Sequence, residues 1–375
     1  MVLRGSTVPR CRSVEDFKSI GRDFIRHSRY KSTSFSRKIF RKCLTGSVTS
    51  ASLSCLEFKG KREVILSESY EAMISEIQND LEKTKAETSI FELANFHMRA
   101  DAIDFIDFHV IDRIEGLIQQ IGQKEELIQL RMRANRLKNK LEDIDREMFR
   151  HLEQQISRSK HKGFVLRKII DGFFKACYDY IGDEDTGGYD NFDIFLNRLL
   201  STSTIHDVTH ELEPEMVFYQ KTPGRIIVEL SKSLNQNDVF FDIGSGVGQV
   251  VILVNIMCDA KAIGIEFEPS FCNYADSVAS KFDLVHVQFI NEDARKVDYS
   301  KGSVFFLYTP FIGKMMQDVL ALLRKVSLKN VIRIFSYGPC SRIIAQENWL
   351  TCRNGNADGV YKLYEFQSFA RDNFF

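Results

Sequence analysis

The residues best suited to bind a ligand lie where an apolar stretch runs directly into a glycine-rich turn. Residues 240–243 are followed by Gly244, Gly246 and Gly248, and Asp242 stands two residues before the first of these glycines. Glycine allows positive φ angles and close approach of a ligand, and the amides that open the next helix point towards it. A carboxylate in this turn opposes an anionic pyrophosphate. It favours a ligand with a cationic amino group and hydroxyls.

Two further positions narrow the class of ligand. The dinucleotide fingerprint requires a third glycine at position 249, where this chain has Gln249. Glu266 ends the next apolar stretch, 24 residues after Asp242, and an acid there can accept hydrogen bonds from both ribose hydroxyls. A ribose is common to NAD and S-adenosylmethionine (SAM), whereas the amino-acid ammonium belongs to SAM. The pattern predicts SAM as the cofactor, with NAD as the weaker alternative.

Acidic residues also follow the third apolar stretch of this region, within residues 291–294. Class I SAM-dependent methyltransferases hold the adenine amine with an acid at this place. Asp293 and its neighbour Ala294 are therefore candidate adenine contacts. A merely solvated acidic loop is the alternative interpretation.

The fourth apolar stretch ends in a polar and aromatic loop, Tyr-Thr-Pro-Phe at 308–311. Ligands of open α/β sheets bind beyond the carboxyl ends of the strands, so this loop should face the methyl group and its acceptor. Its composition is similar to the Asn/Asp-Pro-Pro-aromatic loop of amino-group methyltransferases, without the acid or amide. Tyr308, Thr309 and Phe311 are candidate catalytic residues, and a turn packed under the sheet is the alternative.

A segment upstream of the glycine-rich turn, residues 218–223, is placed to close over the methionine end of SAM. Tyr219 is the candidate on the catalytic side and Thr222 the candidate cofactor contact; simple capping of the following helix is the alternative. No cluster of residues has the spacing of a metal site, so no metal is predicted. The predicted cofactor contacts are Asp242, Gly244, Ser245, Gly246, Gly248, Gln249, Glu266, Asp293, Ala294 and Thr222.

Alternating strands and helices must position these residues. Such alternation indicates a mostly parallel sheet, here an α/β, Rossmann-like class I methyltransferase domain of the seven-stranded type over 205–375. The last strand should add antiparallel, because little room remains for a helical crossover. Strands are expected at 239–243, 262–266, 285–290, 304–308, 331–336 and 361–366, and helices at 192–200, 225–234, 248–257, 270–281 and 314–324.

A helical domain is predicted before the sheet, over 57–204. Within it, apolar residues recur at alternating spacings of four and three, as in a coiled-coil seam, and we expect a partly coiled-coil, antiparallel hairpin with Gly122 at its bend. The domain is either a packed scaffold or a docking element that forms an oligomer. The seam residues are Leu130, Ala134, Leu137, Leu141, Ile144, Met148 and Leu152.

Residues 1–56 are predicted to be a disordered basic arm, with a short helix at 14–25 at most. Residues 1–42 contain twelve Lys and Arg against three acids, a net charge of +9 that the rest of the chain cancels. The arm is either a plain solvated segment, a signal for an organelle or the nucleus, or a contact for nucleic acid or an acidic partner. No apolar run is long enough to span a membrane.

The eight cysteines form no CxxC pair, which favours free thiols in the cytoplasm or another reducing compartment.

Residues 242–251, Asp-Ile-Gly-Ser-Gly-Val-Gly-Gln-Val-Val, closely resemble the SAM loop of the disruptor-of-telomeric-silencing family, the non-SET histone lysine methyltransferases. The resemblance implies that Gln249 contacts the SAM carboxylate or the lysine channel. Tyr219 and Thr222 are similar to the tyrosine-containing loop of that family. The chain departs from the family where Gln220 and Lys221 replace Gly-Glu, and the family's Asn-rich loop after strand four is also replaced.

A second resemblance is to small prokaryote-type and mitochondrial lysine methyltransferases, which share the Tyr-x-x-[Ser/Thr]-Pro pattern found at 219–223. Both resemblances imply transfer of a methyl group to a lysine of a protein. Two alternatives stay open: a methyltransferase of nucleic acid or small molecules, and a SAM-binding assembly module without turnover. Residues 1–214 carry no resemblance.

Overall fold

The computed structural model describes residues 55–174, 189–201 and 208–369. Residues 1–54 of the expected arm, with its short helix, lie outside these ranges. The described residues form two compact units, which meet in sequence between residues 151 and 152.

The first unit is helical, as expected. Helices α2 and α3 are continuous through a π-helical turn, Ile106–Ile111, and Gly122, with φ of +83°, ends α3. The helices are α1 Cys55–Ala86, α2 Phe96–Phe105, α3 Asp112–Ile121 and α4 Glu125–Arg158, the last of which runs across the boundary between the units.

The predicted hairpin bend at Gly122 is present, but the coiled coil is not confirmed. A single core takes apolar residues from α1, from the α2–α3 helix and from α4, so the seam of α4 packs inside a bundle of several helices. At the fifth seam position Ile144 is only half-buried, and the adjacent Asp145 is buried instead. Asp145 accepts a hydrogen bond from Arg99 Nε at 2.5 Å, and this buried ion pair displaces the regular a/d spacing.

The second unit contains a seven-stranded sheet with the order β3-β2-β1-β4-β5-β7-β6. β1 to β5 are parallel, and β7 lies antiparallel between β5 and β6. The expected seven-stranded, mostly parallel α/β sheet and its antiparallel last strand are thereby confirmed. The strands are β1 Val239–Ile243, β2 Lys261–Glu266, β3 Val287–Asn291, β4 Val304–Leu307, β5 Arg333–Ser336, β6 Leu350–Cys352 and β7 Tyr364–Ser368.

Helices flank this sheet at the places that the alternating pattern predicted, within a few residues at their ends. The short helix α11 and strand β6 were missed, because runs of five and three residues give no period that can be read from sequence. The helices are α5 Lys162–Phe174, α6 Asn191–Leu199, α7 Gly224–Lys232, α8 Gln249–Cys258, α9 Pro269–Lys281, α10 Gly313–Ser327 and α11 Cys340–Ile344.

Helix α8, which starts from the glycine-rich turn, is buried along nearly its whole length. α5 covers its outer side so closely that a Cβ atom on Gly163 would lie 2.5 Å from the carbonyl oxygen of Ile256. Arg167 donates a hydrogen bond to the Met257 carbonyl at the end of α8. These contacts hold the helix whose first turn faces the site. Across the described residues, no helix is both long and apolar enough to cross a membrane.

Candidate functional site

The carboxyl ends of β1, β2 and β4, the loop after β3 and the segment 208–223 surround a cavity of about 730 Å³. We call segment 208–223 the strap. The cavity wall includes twelve of the fourteen residues that the sequence singled out; Gly246 and Gly248 are the two outside it. The twelve are Tyr219, Thr222, Asp242, Gly244, Ser245, Gln249, Glu266, Asp293, Ala294, Tyr308, Thr309 and Phe311.

The glycines of the turn are required by the backbone and by close packing. Gly246 has φ of +52°, and a Cβ atom there would overlap the ring of Tyr219. Gly244 has φ of +84°, and a Cβ atom there would lie 2.5 Å from Pro310. Side chains at these positions would push away the two loops that complete the cavity.

Asp242 is buried at the end of β1, with 3% of its surface exposed. Burial and the nearby Glu266 raise the pKa of Asp242 to about 8. A carboxylate in this position becomes stable as an anion when a cation binds beside it. The site is therefore built for a ligand with a positive group at this point.

Glu266, at the end of β2, is held in place by two backbone amides. Its Oε2 accepts a hydrogen bond from Gly246 N and its Oε1 one from Glu268 N, both at 2.8 Å. Burial raises the pKa of this carboxyl group, while the amide hydrogen bonds oppose the increase. Each carboxylate oxygen can accept a further hydrogen bond, which is what a ribose diol would supply.

Two buried polar atoms in the cavity wall lack a partner among the described residues. They are Ser245 Oγ and Gln249 Oε1. Buried polar groups are almost always hydrogen-bonded, so these atoms indicate a polar ligand. The amino-acid end and ribose of SAM supply matching donors and acceptors beside Asp242 and Glu266, and the donor set thus fits this cofactor.

The carboxylate of Asp293 lines the cavity but already has protein partners. It accepts hydrogen bonds from Arg295 Nε at 3.0 Å, from Arg295 Nη2 at 2.6 Å and from the Arg295 amide at 2.8 Å. The hydrogen-bonded Arg295 side chain holds the pKa of Asp293 below its usual range. The same Nη2 binds Glu213 of the strap at 2.7 Å.

The first part of the strap is fixed by Glu268, which lies just after β2. Its carboxylate accepts hydrogen bonds from the amides of Thr209 and His210 and from the Thr209 hydroxyl. Burial alone would raise the pKa of Glu268, but hydrogen bonds from His210 and Ser270 lower it to about 2. Glu268 is thus an ionised anchor at all ordinary pH values.

The middle and end of the strap have their own anchors. Glu215 accepts hydrogen bonds from the amides of Lys314 and Met315 at the start of α10. After the strap, the amide of Gly224 donates to Asp193 Oδ1 at 2.6 Å. Burial and Asp190 raise the pKa of Asp193 to about 7. The strap is therefore tied down along its length.

Tyr219 reaches from the strap over the glycine-rich turn. Its ring packs against Gly246 and lies 5.4 Å from the ring of Phe271. Burial of the phenol, followed by the charge of Asp242, raises the pKa of Tyr219, although more than a third of the residue's surface stays exposed. The hydroxyl end thus lies beside the acids that are suited to hold SAM.

On the acceptor side, Tyr308 donates a hydrogen bond to Gln220 Oε1 at 3.2 Å. Its ring lies 4.9 Å from that of Tyr337, and burial raises its pKa. The side-chain contact of Tyr308 with Gln220 joins the loop after β4 to the strap, beside a backbone hydrogen bond from Val217 N to the Pro310 carbonyl and a bridge between Met216 and Phe311. It holds the Tyr308 ring against the cavity.

Thr309 and Phe311 line the cavity but have evident structural tasks. Thr309 has φ of +43°, and its hydroxyl donates to the Tyr337 carbonyl and accepts from the Cys340 amide. Phe311 is 4% exposed and belongs to the core on one side of the sheet. The catalytic role expected of these two residues stays a prediction.

Sequence reasoning missed Glu268, Arg295, Gln220 and Tyr337. Each matters through a partner far away in the chain, such as the strap for Glu268 and Arg295. For Arg295 the one available signal was its spacing of two residues from Asp293.

The charge of the cavity wall is one-sided. Among the described residues that line it there is one histidine and no lysine or arginine. The seven carboxylate residues are Glu211, Glu213, Asp242, Glu266, Glu268, Glu292 and Asp293.

Comparison with known proteins gives one family. Residues 218–331 match the family described as "Histone methylation protein DOT1". The match covers less than a third of the chain and includes most of the cavity wall. No curated protein matches the chain.

Solved structures with a similar fold include three methyltransferases. An RNA methyltransferase from Salinibacter ruber, in complex with S-adenosyl-L-homocysteine, is 22% identical over 40% of this chain and 92% of that chain, with a TM-score of 0.30. A precorrin-6y C5,15-methyltransferase from Geobacter metallireducens is 16% identical over 40% and 89%, with a TM-score of 0.31. A SAM-dependent methyltransferase from Thiobacillus denitrificans is 19% identical over 30% of this chain and 48% of that chain, with a TM-score of 0.27. Similarities this distant carry no argument about the acceptor.

Proposed function

We propose that this class I SAM-dependent methyltransferase, whose residues 218–331 match the DOT1 histone methylation family, transfers methyl groups to lysine side chains of proteins. The observation that carries the proposal is the charge of the cavity wall. Its carboxylates attract a cationic acceptor and repel a polyanion.

Acidic residues at the cavity's outer wall support a basic acceptor. Glu211, Glu213 and Glu292 are exposed to solvent. Glu213 already pairs with Arg295 and Glu292 lies 3.8 Å from Lys296, so Glu211 contributes most of the charge that an approaching acceptor meets. Nucleic-acid-binding surfaces instead place lysine and arginine against phosphates. A lysine in a basic protein segment suits this wall, and an RNA or DNA backbone does not.

The acceptor side of the cavity can desolvate an amine. Phe218, Tyr219 and Tyr308 line it, and the first two are partly open to solvent. Aromatic faces attract an ammonium, and the water that the amine loses on entering lowers its pKa. A lysine that enters as a cation can thus lose its proton to water and present a neutral nitrogen. No residue is required to act as a general base.

The protein's remaining task is alignment. Asp242 and Glu266 hold the cofactor's amino-acid end and ribose, and Tyr219 closes over them. When bound, SAM supplies an electrophilic methyl group on its sulfonium. A neutral amine held in line with the C–S bond would form the new N–C bond as that bond breaks, which would give a methylammonium and S-adenosyl-L-homocysteine. The one proton released is the one that the lysine loses before the transfer.

The test is methyl transfer from labelled SAM to histone, total-protein and RNA fractions, followed by mass spectrometry of the product. Label on lysine is the expected result, and it should be lost in Asp242→Ala. Asp276→Asn, which changes an exposed carboxylate on α9, is the matched control. Label on RNA alone would contradict the lysine proposal. SAM binding without any turnover would favour a SAM-binding assembly module.

A further inference from the structure

Arg295 connects two parts of the site that are far apart in the chain. Its Nη2 group donates to Asp293 Oδ2 at 2.6 Å and to Glu213 Oε1 at 2.7 Å, and its Nε group donates to both oxygens of Asp293 at 3.0 Å. One guanidinium therefore holds both the acid after β3 and the strap.

The geometry leaves Asp293 able to bind one more donor. An ionised carboxylate has about four acceptor positions. Arg295 makes four contacts to Asp293 with only three N–H groups, because its Nε–H is shared between Oδ1 and Oδ2 while the amide binds Oδ1 and Nη2 binds Oδ2. Three donor hydrogens thus leave one of the four positions. Because Asp293 lines the cavity, the remaining position is available to a ligand. A donor such as the exocyclic amine of adenine matches it, whereas a carbonyl oxygen would face a negative charge.

The loop that carries Asp293 has two further hydrogen bonds besides this contact. The amide of Asp293 donates to Glu292 Oε1 at 2.9 Å, and the hydroxyl of Tyr299 donates to the Ala294 carbonyl at 2.8 Å. The Asp293 side chain is only 7% exposed. The orientation of its carboxylate is thus determined mainly by Arg295.

Glu213 connects the strap to Arg295. It lies in the strap between the anchors at Thr209–His210 and at Glu215. Glu213 and Arg295 are both partly exposed, so their pair can open without disturbing the core. Its attachment brings the strap to the same guanidinium that orients Asp293.

We propose that Arg295 is a positioning residue for the cofactor. It orients Asp293 to accept the adenine amine, and through Glu213 it couples adenine recognition to placement of the strap. The proposal rests on SAM being the cofactor and is independent of the methyl acceptor. The charge-assisted contacts make Asp293 an acceptor only, which selects adenine against bases that present a carbonyl at the same position.

The test measures binding of S-adenosyl-L-homocysteine and of S-inosyl-L-homocysteine, in which a carbonyl replaces the adenine amine, by calorimetry. A site built to hydrogen-bond a group rejects the analogue that lacks it, so we expect the full-length wild type to prefer the adenine compound by at least about 100-fold. Arg295→Met keeps the side-chain stem and should reduce this preference below about 10-fold, the loss of one charge-assisted hydrogen bond. Arg324→Met on the exposed face of α10 should change nothing.

Glu213→Gln separates the two halves of the proposal. It leaves the Arg295–Asp293 contact in place, so the base preference should persist while both compounds bind more weakly by about 3-fold or more, as expected for a partly exposed ion pair. Asp318→Asn, which breaks an exposed pair with Lys314, is the matched control. It should have no effect on either compound.

The outcomes separate this proposal from the proposed function. An unchanged base preference in Arg295→Met, with a melting temperature equal to that of the wild type, would overturn the role of Arg295 in adenine recognition. Equal affinity of Glu213→Gln and wild type would overturn the coupling to the strap. Should Arg295→Met fail to fold, Arg295→Lys provides the same comparison, because its single ammonium cannot bridge both carboxylates in the fork geometry of arginine. Neither result bears on lysine methylation, which the transfer of labelled methyl groups tests separately.

Discussion

Asp242 is suited to bind a ligand, but it lowers the stability of the ligand-free protein at neutral pH. Its carboxyl group is buried near Glu266, and its pKa of about 8 lies far above the ordinary value. The folded protein without ligand therefore holds a proton that the unfolded chain releases between about pH 4 and pH 8. Under this linkage, the contribution of Asp242 to stability declines as the pH rises through that range.

We expect Asp242→Asn to make the ligand-free protein more stable than the wild type, with a difference that grows from pH 5 to pH 8. The amide cannot ionise, so it avoids the cost of a buried charge. Chemical denaturation at several pH values measures the difference. Asp193, whose pKa is raised to about 7, is present in both proteins and does not affect the comparison. A difference that stays constant with pH would contradict this interpretation of Asp242.

The same substitution should weaken SAM binding by about 10- to 100-fold, the typical worth of a hydrogen bond to a charged group. Because an ammonium binds the ionised carboxylate, binding by the wild type should release a proton, and affinity should rise by about 10- to 30-fold between about pH 6 and pH 7.5. Calorimetry in buffers of different ionisation enthalpy measures the proton. Asp242→Asn should show neither the release nor the slope.

At the scale of elements, the glycine-rich turn and the strap depend on each other. Gly246 supplies both the left-handed backbone and the space for the Tyr219 ring. Gly172 lies within helix α5, and no atom lies within 4 Å of the position that a Cβ atom would take there. It therefore offers a matched contrast in the same unit.

Gly246→Ala should lower the free energy of unfolding by about 1–3 kcal/mol, since it adds a strained backbone and a clash with Tyr219. It should also weaken SAM binding, because the added methyl group displaces the Tyr219 ring from its position against the glycine-rich turn. Gly172→Ala should instead stabilise by about 0.4–1 kcal/mol. Denaturant titration and calorimetry measure both effects. Similar changes in the two variants would show that the packing of Tyr219 is unimportant.

The helical unit has its own decisive contact in the Arg99–Asp145 pair. Arg99 is completely buried and also donates to the carbonyls of Ile90 and Glu92. Removal of one partner leaves an uncompensated buried charge, so Asp145→Leu should cost about 3–5 kcal/mol. The double variant Arg99→Met/Asp145→Leu should cost less than the single one. Costs that simply add would exclude a dominant role for the buried charge.

At the scale of the whole molecule, charge is segregated along the chain. The first 42 residues carry +9 and the rest −9. The carboxylates of the cavity wall belong to the acidic part. Recognition of a basic acceptor by exposed carboxylates is screened by salt, whereas a buried site for the cofactor is screened much less.

We therefore expect the KM for a histone acceptor to rise several-fold between about 50 and 300 mM salt, with little change in the KM for SAM or in kcat. Steady-state kinetics at constant pH measures the three values. Glu211→Gln should reduce the salt dependence of the acceptor's KM. An acceptor KM that is insensitive to salt would contradict recognition through the acidic wall.

The sequence by itself determined the class of fold and twelve residues of the cavity wall. The glycine-rich turn, the acids after the second and third strands and the alternation of strands and helices are local patterns, read over a few residues. Because parallel strands end at one edge of the sheet, these patterns were enough to predict that Asp242, Glu266 and Asp293 lie close together.

Only the tertiary structure decided which side chains contact each other around the cavity. Glu213 meets Arg295 across 82 positions of sequence, Thr209 meets Glu268 across 59, and Gln220 meets Tyr308 across 88. Such contacts depend on how loops fold back over the sheet, which no periodicity encodes. The helical unit gives a second example. Its a/d spacing predicted a coiled coil, but the spacing could not show that α1 and the α2–α3 helix share one core with α4. Nor could it show that a buried ion pair interrupts the seam.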